Sequence, residues 1–149
     1  MESSRIKISC MYALRKWQLF LPILIVVSAG FLVYFGYKEP VVEFNSNILK
    51  LKGLYGINLT VTEIIEVDTI LYIEMPAIAM RTNGISLNRV HRGKFRTTKD
   101  EKIHLNIHSG VSPLIRIVEK GGLVYYINRK NAEETRQIFN KLKNNIIKE

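Results

Sequence analysis

The chain has 149 residues, 47% of them apolar, and carries 22 Lys and Arg against 13 Asp and Glu, a formal net charge of +9. That leaves room for one domain and something small, and the basic balance favours anionic partners without choosing among lipid headgroups, acidic polymers and nucleic acid. The single cysteine, Cys10, excludes an intramolecular disulfide framework and any cysteine-based zinc site, and no cofactor or metal is expected.

Residues 1–16 hold Arg5, Lys7, Arg15 and Lys16 and read as a cytoplasmic N-terminal segment. From Trp17 to Tyr37 follow 21 residues without a charge, WQLFLPILIVVSAGFLVYFGY. At about 1.5 Å per helical residue they cover roughly 30 Å, the thickness of a bilayer core. Trp17 stands at one end and Tyr34 and Tyr37 at the other, where interfacial aromatics sit. Pro22 falls in the first turns, where it disturbs few backbone bonds. No turn has a polar face, which favours a transmembrane helix over a buried core helix. A cleaved signal peptide is the competing reading, because Val27-Ser28-Ala29 suits cleavage after Ala29. The apolar run continues eight residues past that point, beyond the roughly 7–15 residues of a signal h-region, so an uncleaved anchor is expected. Four cations precede the span, and Lys38, Lys50 and Lys52 follow it closely; the bias leans towards a cell-membrane protein with its C-terminal domain outside the cytoplasm.

Residues 38–41 read as a linker, and 42–147 as a domain. Leu49 and Leu51 alternate with Lys50 and Lys52; Ile57, Leu59, Val61, Ile65 and Val67 share one parity; Ile103, Leu105 and Ile107 alternate with His104, Asn106 and His108. Ile115 and Ile117 flank Arg116, and Leu123–Ile127 is a continuous apolar run, as in a strand buried on both faces. Gly53, Asn83-Gly84, Gly93, Ser109-Gly110 and Gly121-Gly122 read as turns or bulges. Residues 131–146 change period, with Ile138, Leu142 and Ile146 four apart. Asn131 stands at the N-cap, with Glu133 and Glu134 in the first turn and Lys141 and Lys143 near the other end, an amphipathic helix. The expected class is mainly β, an antiparallel domain of about seven strands closed by one C-terminal α-helix.

Such a domain, ending in a helix after VYYINRKNAEETRQIFNKL, resembles the bacterial pleckstrin-homology-like (PH-like) domains. The stretch MRTNGISLNRVHRGKFRT, with Arg81-x-x-Gly84 and then Gly93-x-Phe95-Arg96, is similar to the mid-domain segment of that family. The resemblance covers Val42 to Lys143. It implies a partly open barrel of two near-orthogonal sheets, plugged at one end by the helix, and a role as scaffold or interaction module behind a membrane span.

Between residues 81 and 102 seven cations face Asp100 and Glu101. On a strand, Arg92, Lys94 and Arg96 share a face about 6.7 Å apart while Phe95 points into the core. Alternation alone produces such a row on a solvated face. The functional alternative is an anion- or partner-binding surface of Arg81, Arg89, Arg92, Lys94 and Arg96, helped by Lys99 and Lys102. The Arg-x-Arg pattern of phosphoinositide-binding PH domains is missing from 53–66. Nucleic acid is disfavoured, since Phe95 is the one aromatic in the stretch and parity buries it. His104 and His108 on a strand lie about 13 Å apart, too far for one zinc ion. Ser112 lacks a nucleophile-elbow context, and the carboxylate pairs Glu63/Glu66 and Glu133/Glu134 lack an acid–base partner. The chain therefore reads as a non-catalytic, membrane-anchored binding module with a protein partner, with anionic lipid or polymer binding as the alternative and a small enzyme using His91 or His104 as the least favoured reading.

Overall fold

The computed structural model describes residues 2–45 and 47–147, with side chains described for 20–45 and 47–146. It divides into two compact units, Met1–Gly36 and Tyr37–Glu149. The first is helical: α1 spans Glu2–Tyr37. Its stretch Phe20–Tyr37 is long and apolar enough to cross a membrane, and its large apolar side chains are exposed. An amphipathic core helix would have hidden one face, so the exposure on every turn fits lipid as the solvent. The side chains of Arg5, Lys7, Arg15, Lys16 and Trp17, on which the orientation and one interfacial anchor rest, lie outside the described ones.

The second unit is mainly β. A three-stranded antiparallel sheet holds β1 (Val41–Asn45), β2 (Ile48–Lys52) and β3 (Ile57–Thr60) in that order. A six-stranded sheet holds β4 (Ile64–Ile70), β5 (Ile78–Leu87), β6 (Val90–Thr97), β7 (Lys102–His108), β8 (Leu114–Glu119) and β9 (Val124–Ile127) in the order β4-β8-β9-β7-β6-β5. The helix α2 (Ala132–Ile147) follows. Two expectations are corrected. The described residues form nine strands, not about seven, and the domain is not wholly antiparallel, because β9 runs parallel to β7. The β8–β9 hairpin, turned at Gly121–Gly122, inserts its second strand between β8 and β7. Its side chains enter both cores, Tyr125 and Ile127 on one face and Val124 and Tyr126 on the other, which is what its unbroken apolar run requires.

Two cores follow. One joins Leu49 and Leu51 of β2, Ile57 and Leu59 of β3, Ile115 and Ile117 of β8, Tyr125 and Ile127 of β9, and Leu142 of α2. On α2 the four-residue spacing delivers Leu142, fully buried, with Ile138 and Ile146 beside it, and Asn131 Oδ1 accepts the Glu133 backbone N–H at 2.9 Å as the N-cap. The other core lies on the opposite face: Phe95, Ile103, Leu105, Ile107, Leu114 and Tyr126 under a strap that contributes Ile70, Tyr72, Met75 and Ile78. Because β4 and β5 are consecutive in the chain yet form opposite edges of the sheet, the connection between them crosses that face. The Tyr72 N–H donates to Ser112 Oγ at 2.9 Å, which holds the strap and gives that serine a structural role.

The single parity expected from Ile57 to Val67 breaks where the chain changes sheets. A 3-10 turn at Val61–Glu63 and a register shift between Ile64 and Glu66 leave Ile65 64% exposed while Ile64 and Val67 pack inward. Asn83-Gly84 and Gly93, read as turns or bulges, lie inside paired strands at a bulge, where the register shifts between Arg81 and Asn83. Gly84 and Gly93 pair directly across β5 and β6, beside a register shift. A Cβ on Gly93, whose φ is +110°, would lie 2.3 Å from the Asn83 carbonyl oxygen, so two backbones meet where only glycine fits.

Candidate anion-binding cleft

The row Arg92, Lys94, Arg96 does share one face of β6, and Phe95 is buried on the other. The face is not uniform. Arg92 is 1% exposed, Lys94 is exposed, and Arg96 is partly so. The cause is what lies above the sheet. At the Arg92 end residues 37–40 fold down onto the strand: the Arg92 guanidinium donates to the carbonyls of Lys38 and Tyr37, and Arg129 donates to that of Pro40. Glu39 supplies the negative charge. Its Oε1 lies 3.0 Å from His108 Nε2 and accepts the Lys130 N–H at 3.2 Å. Residues 38–41, expected as a linker, are thus pinned to the domain by two buried arginines. The expectation that Arg92 offers charge to solvent is corrected: the site spends it on main-chain carbonyls.

The same face buries His104, whose ring stacks on Tyr125 and whose Nε2 faces the Tyr55 carbonyl at 3.3 Å. A carbonyl only accepts, so Nε2 carries the proton. Burial pushes the His104 imidazole below the ordinary histidine value, the Tyr55 bond opposes this, and Lys94 adds to it. Burial also lowers His108, with Arg92 and Arg129 adding to the effect against Glu39, and it lowers His91, whose Nδ1 lies 2.8 Å from Ser86 Oγ. Each histidine has its own local partner, and among the described residues no three His, Cys or carboxylate groups gather as a metal site. The polar parity of β7 is covered here as well: His104 and Asn106 are 7% and 2% exposed.

Beyond His104 the cover ends. Lys94 and Arg96 of β6, with Lys102 of β7, open onto a cleft of about 360 Å³. Leu123 is its apolar side; Phe95 and Ile103 border it where the strands pass between the cations, their side chains buried in the core on the opposite face; Thr82 and the Gly121–Gly122 turn complete it, and its lining holds no carboxylate. Arg96 and Lys102 stand opposite each other in the β6–β7 register, and Lys94 lies two residues along the same face. The spacing is thus about 5 Å across the ladder and about 6.7 Å along it. Like charges directly opposite destabilise a ladder, so this corner of the sheet is built at a cost.

The connection at 98–101 is shaped by Thr97, 2% exposed, whose hydroxyl accepts the N–H groups of Lys99 and Glu101, both at 3.2 Å. The turn places Asp100 at φ +63° with its Oδ1 2.5 Å from Arg96 Nη1. Arg89 lies elsewhere, beside a second cavity of about 460 Å³ that also contains Glu39, His108 and Lys130. Arg81 is exposed on β5, paired in register with Phe95. Of the five cations singled out in the sequence, the structure brings only Lys94 and Arg96 together in this cleft. Lys102, counted there as a helper, is the third member. A hairpin register drawn across 97–101 would have placed it opposite Arg96. Thr82 and the glycine turn carry no sequence signal as site residues.

The chain matches no family model, no curated protein and no solved structure.

Proposed function

We propose that this is a single-pass membrane protein whose β domain is a PH-like, non-catalytic binding module for an anionic ligand. The observation that carries the reading is the convergence of Lys94, Arg96 and Lys102 on one cleft whose lining holds no carboxylate. Two packed sheets with a C-terminal helix on their shared core agree with the PH-like part, while the parallel β7–β9 pair departs from it. The four-to-three distribution of flanking cations supports a domain outside the cytoplasm. A C-terminal reporter active only outside the cytoplasm tests that side, and activity only from a cytoplasmic reporter overturns it.

The ligand reading is tested with the full chain in uncharged detergent micelles, using heparin as a polyanion probe. Binding should weaken steeply with salt and fall at least tenfold in K94E/K102E, with R81E/R89E as the control that makes the same change in net charge away from the cleft. Equal losses in both variants would reduce the effect to overall charge and remove the cleft from the reading. A second reading, capture of a partner protein's strand, is favoured by β5: ten residues long, mostly exposed, and paired on one side only, to β6. Protection of β5 amides from exchange on adding a membrane extract, without change at Gly121–Gly122, would select it.

A further inference from the structure

We infer that Asp100 is a built-in competitor for the cleft, and that the three cations it partly masks take multiply charged oxyanions of the phosphate class in preference to monocarboxylates. This rests on the anion-binding reading above. Three observations carry it. First, the Asp100 carboxylate already occupies one of the three cations, at 2.5 Å from Arg96 Nη1. Second, it arrives from the turn and not from the cleft wall, with its side chain 76% exposed, so swinging into water costs it little. Arg96 is only 34% exposed and stays in place. Third, the turn is built to deliver it: Asp100 sits in the left-handed region, its N–H donates to the Thr97 carbonyl at 3.0 Å, and the buried Thr97 hydroxyl ties the residues on either side. Among the described residues neither Lys94 nor Lys102 forms an ion pair, so the lysines stand ready while the arginine is occupied.

The selectivity follows from the number of cations a ligand can engage once Asp100 is displaced. A monocarboxylate that displaces Asp100 replaces one arginine–carboxylate pair by another and gains little at Arg96. Its single charge and two oxygens, once given to Arg96, leave little for Lys94 and Lys102. A phosphate-class group brings about two charges and three acceptor oxygens, enough to take Arg96 and still draw in both lysines. A surface ion pair contributes up to about 1 kcal/mol, so the competitor weakens such a ligand by up to about fivefold.

The test uses the full chain in uncharged detergent micelles, with pyrophosphate and acetate titrated calorimetrically at matched ionic strength. Asp100→Asn is the chosen variant, because asparagine tolerates the left-handed backbone and the turn survives. Wild type should bind pyrophosphate at least about tenfold tighter than acetate, and D100N should tighten pyrophosphate about three- to fivefold. K94Q/K102Q should weaken pyrophosphate binding in both backgrounds. If K94Q/K102Q weakens it but D100N leaves it unchanged or weaker, the competitor is refuted while the cleft stands. If K94Q/K102Q has no effect, the anion-binding reading fails and this inference with it. Phosphatidylcholine vesicles with and without phosphatidic acid, mixed with the micellar protein, separate a lipid-borne phosphate from a soluble one. Tighter capture in D100N on the acidic vesicles would assign the same device to a lipid ligand, and no change in either arm would overturn it.

Discussion

Arg92 and Lys94 are two residues apart on the same face of one strand, yet the structure gives them opposite duties, and replacing each by alanine separates them. Arg92 is 1% exposed and its guanidinium donates to the carbonyls of Lys38 and Tyr37. A hydrogen bond to a charged group contributes about 1.5–3 kcal/mol. Two such bonds are lost in R92A, and two effects offset part of the loss. The carbonyls belong to exposed residues that water reaches, and removing one arginine relieves its repulsion with Arg129. The net cost is about 2–4 kcal/mol, while K94A, at an exposed position, should stay within about 0.5 kcal/mol of wild type. With roughly 4 °C per kcal/mol for a domain of this size, R92A should melt about 8–15 °C lower and K94A within a few degrees. The assay is thermal unfolding of the full chain in detergent, followed by the near-ultraviolet signal of the buried Tyr125 and Tyr126. Arg92→Lys keeps the charge but not the planar fork and should recover only part of the loss. If R92A and K94A melt together, the segment 37–40 is not held as described and the row is an ordinary solvated face.

The three histidines make stability pH-dependent. His91, His104 and His108 all have lowered values in the folded domain, chiefly through burial, so the unfolded chain binds protons more readily. Their contribution is complete above the unfolded value of about 6.5 and is lost as the pH falls through the lower folded values. The urea midpoint should therefore drop between pH 7.5 and 5, and a midpoint that is flat or rises would contradict the burial of these rings. Gly93→Ala drives a Cβ to 2.3 Å from the Asn83 carbonyl oxygen at φ +110°, whereas Gly122→Ala, at φ +79°, meets nothing within 4 Å. The first should cost at least about 3 kcal/mol and the second about 1–2, and equal urea midpoints would refute the close approach of β5 and β6. Leu142→Ala should cost about 2–5 kcal/mol, because its fully buried side chain joins α2 to both sheets; a loss below about 1 kcal/mol in the same titration would mean that α2 is dispensable to the core.

Local rules made much of the architecture legible. Leu49 and Leu51, Ile103 to Ile107, and Ile115 and Ile117 all enter the core as period two demands, and Ile138, Leu142 and Ile146 as the helical period does. The 21 uncharged residues lie in one apolar helix despite their many β-branched and aromatic residues, because a helix pairs its backbone groups within the segment, as an apolar solvent demands. The cations of the basic stretch were equally plain, and so was their shared face.

Sequence parity determines which side of a strand a residue takes. Only tertiary structure decides what lies above that side. Arg92 and Lys94 obey the same parity, but residues 37–40 cover the first and stop short of the second. Val61 and Ile65 follow one alternation on paper, yet the chain crosses between sheets at 61–63 and a bulge turns Ile65 outward. The parallel pairing of β9 with β7, and the meeting of Lys102 with Arg96 across a turn, join residues brought together by long-range register. Such register depends on contacts made across the whole sheet, and a window of neighbouring residues does not contain them.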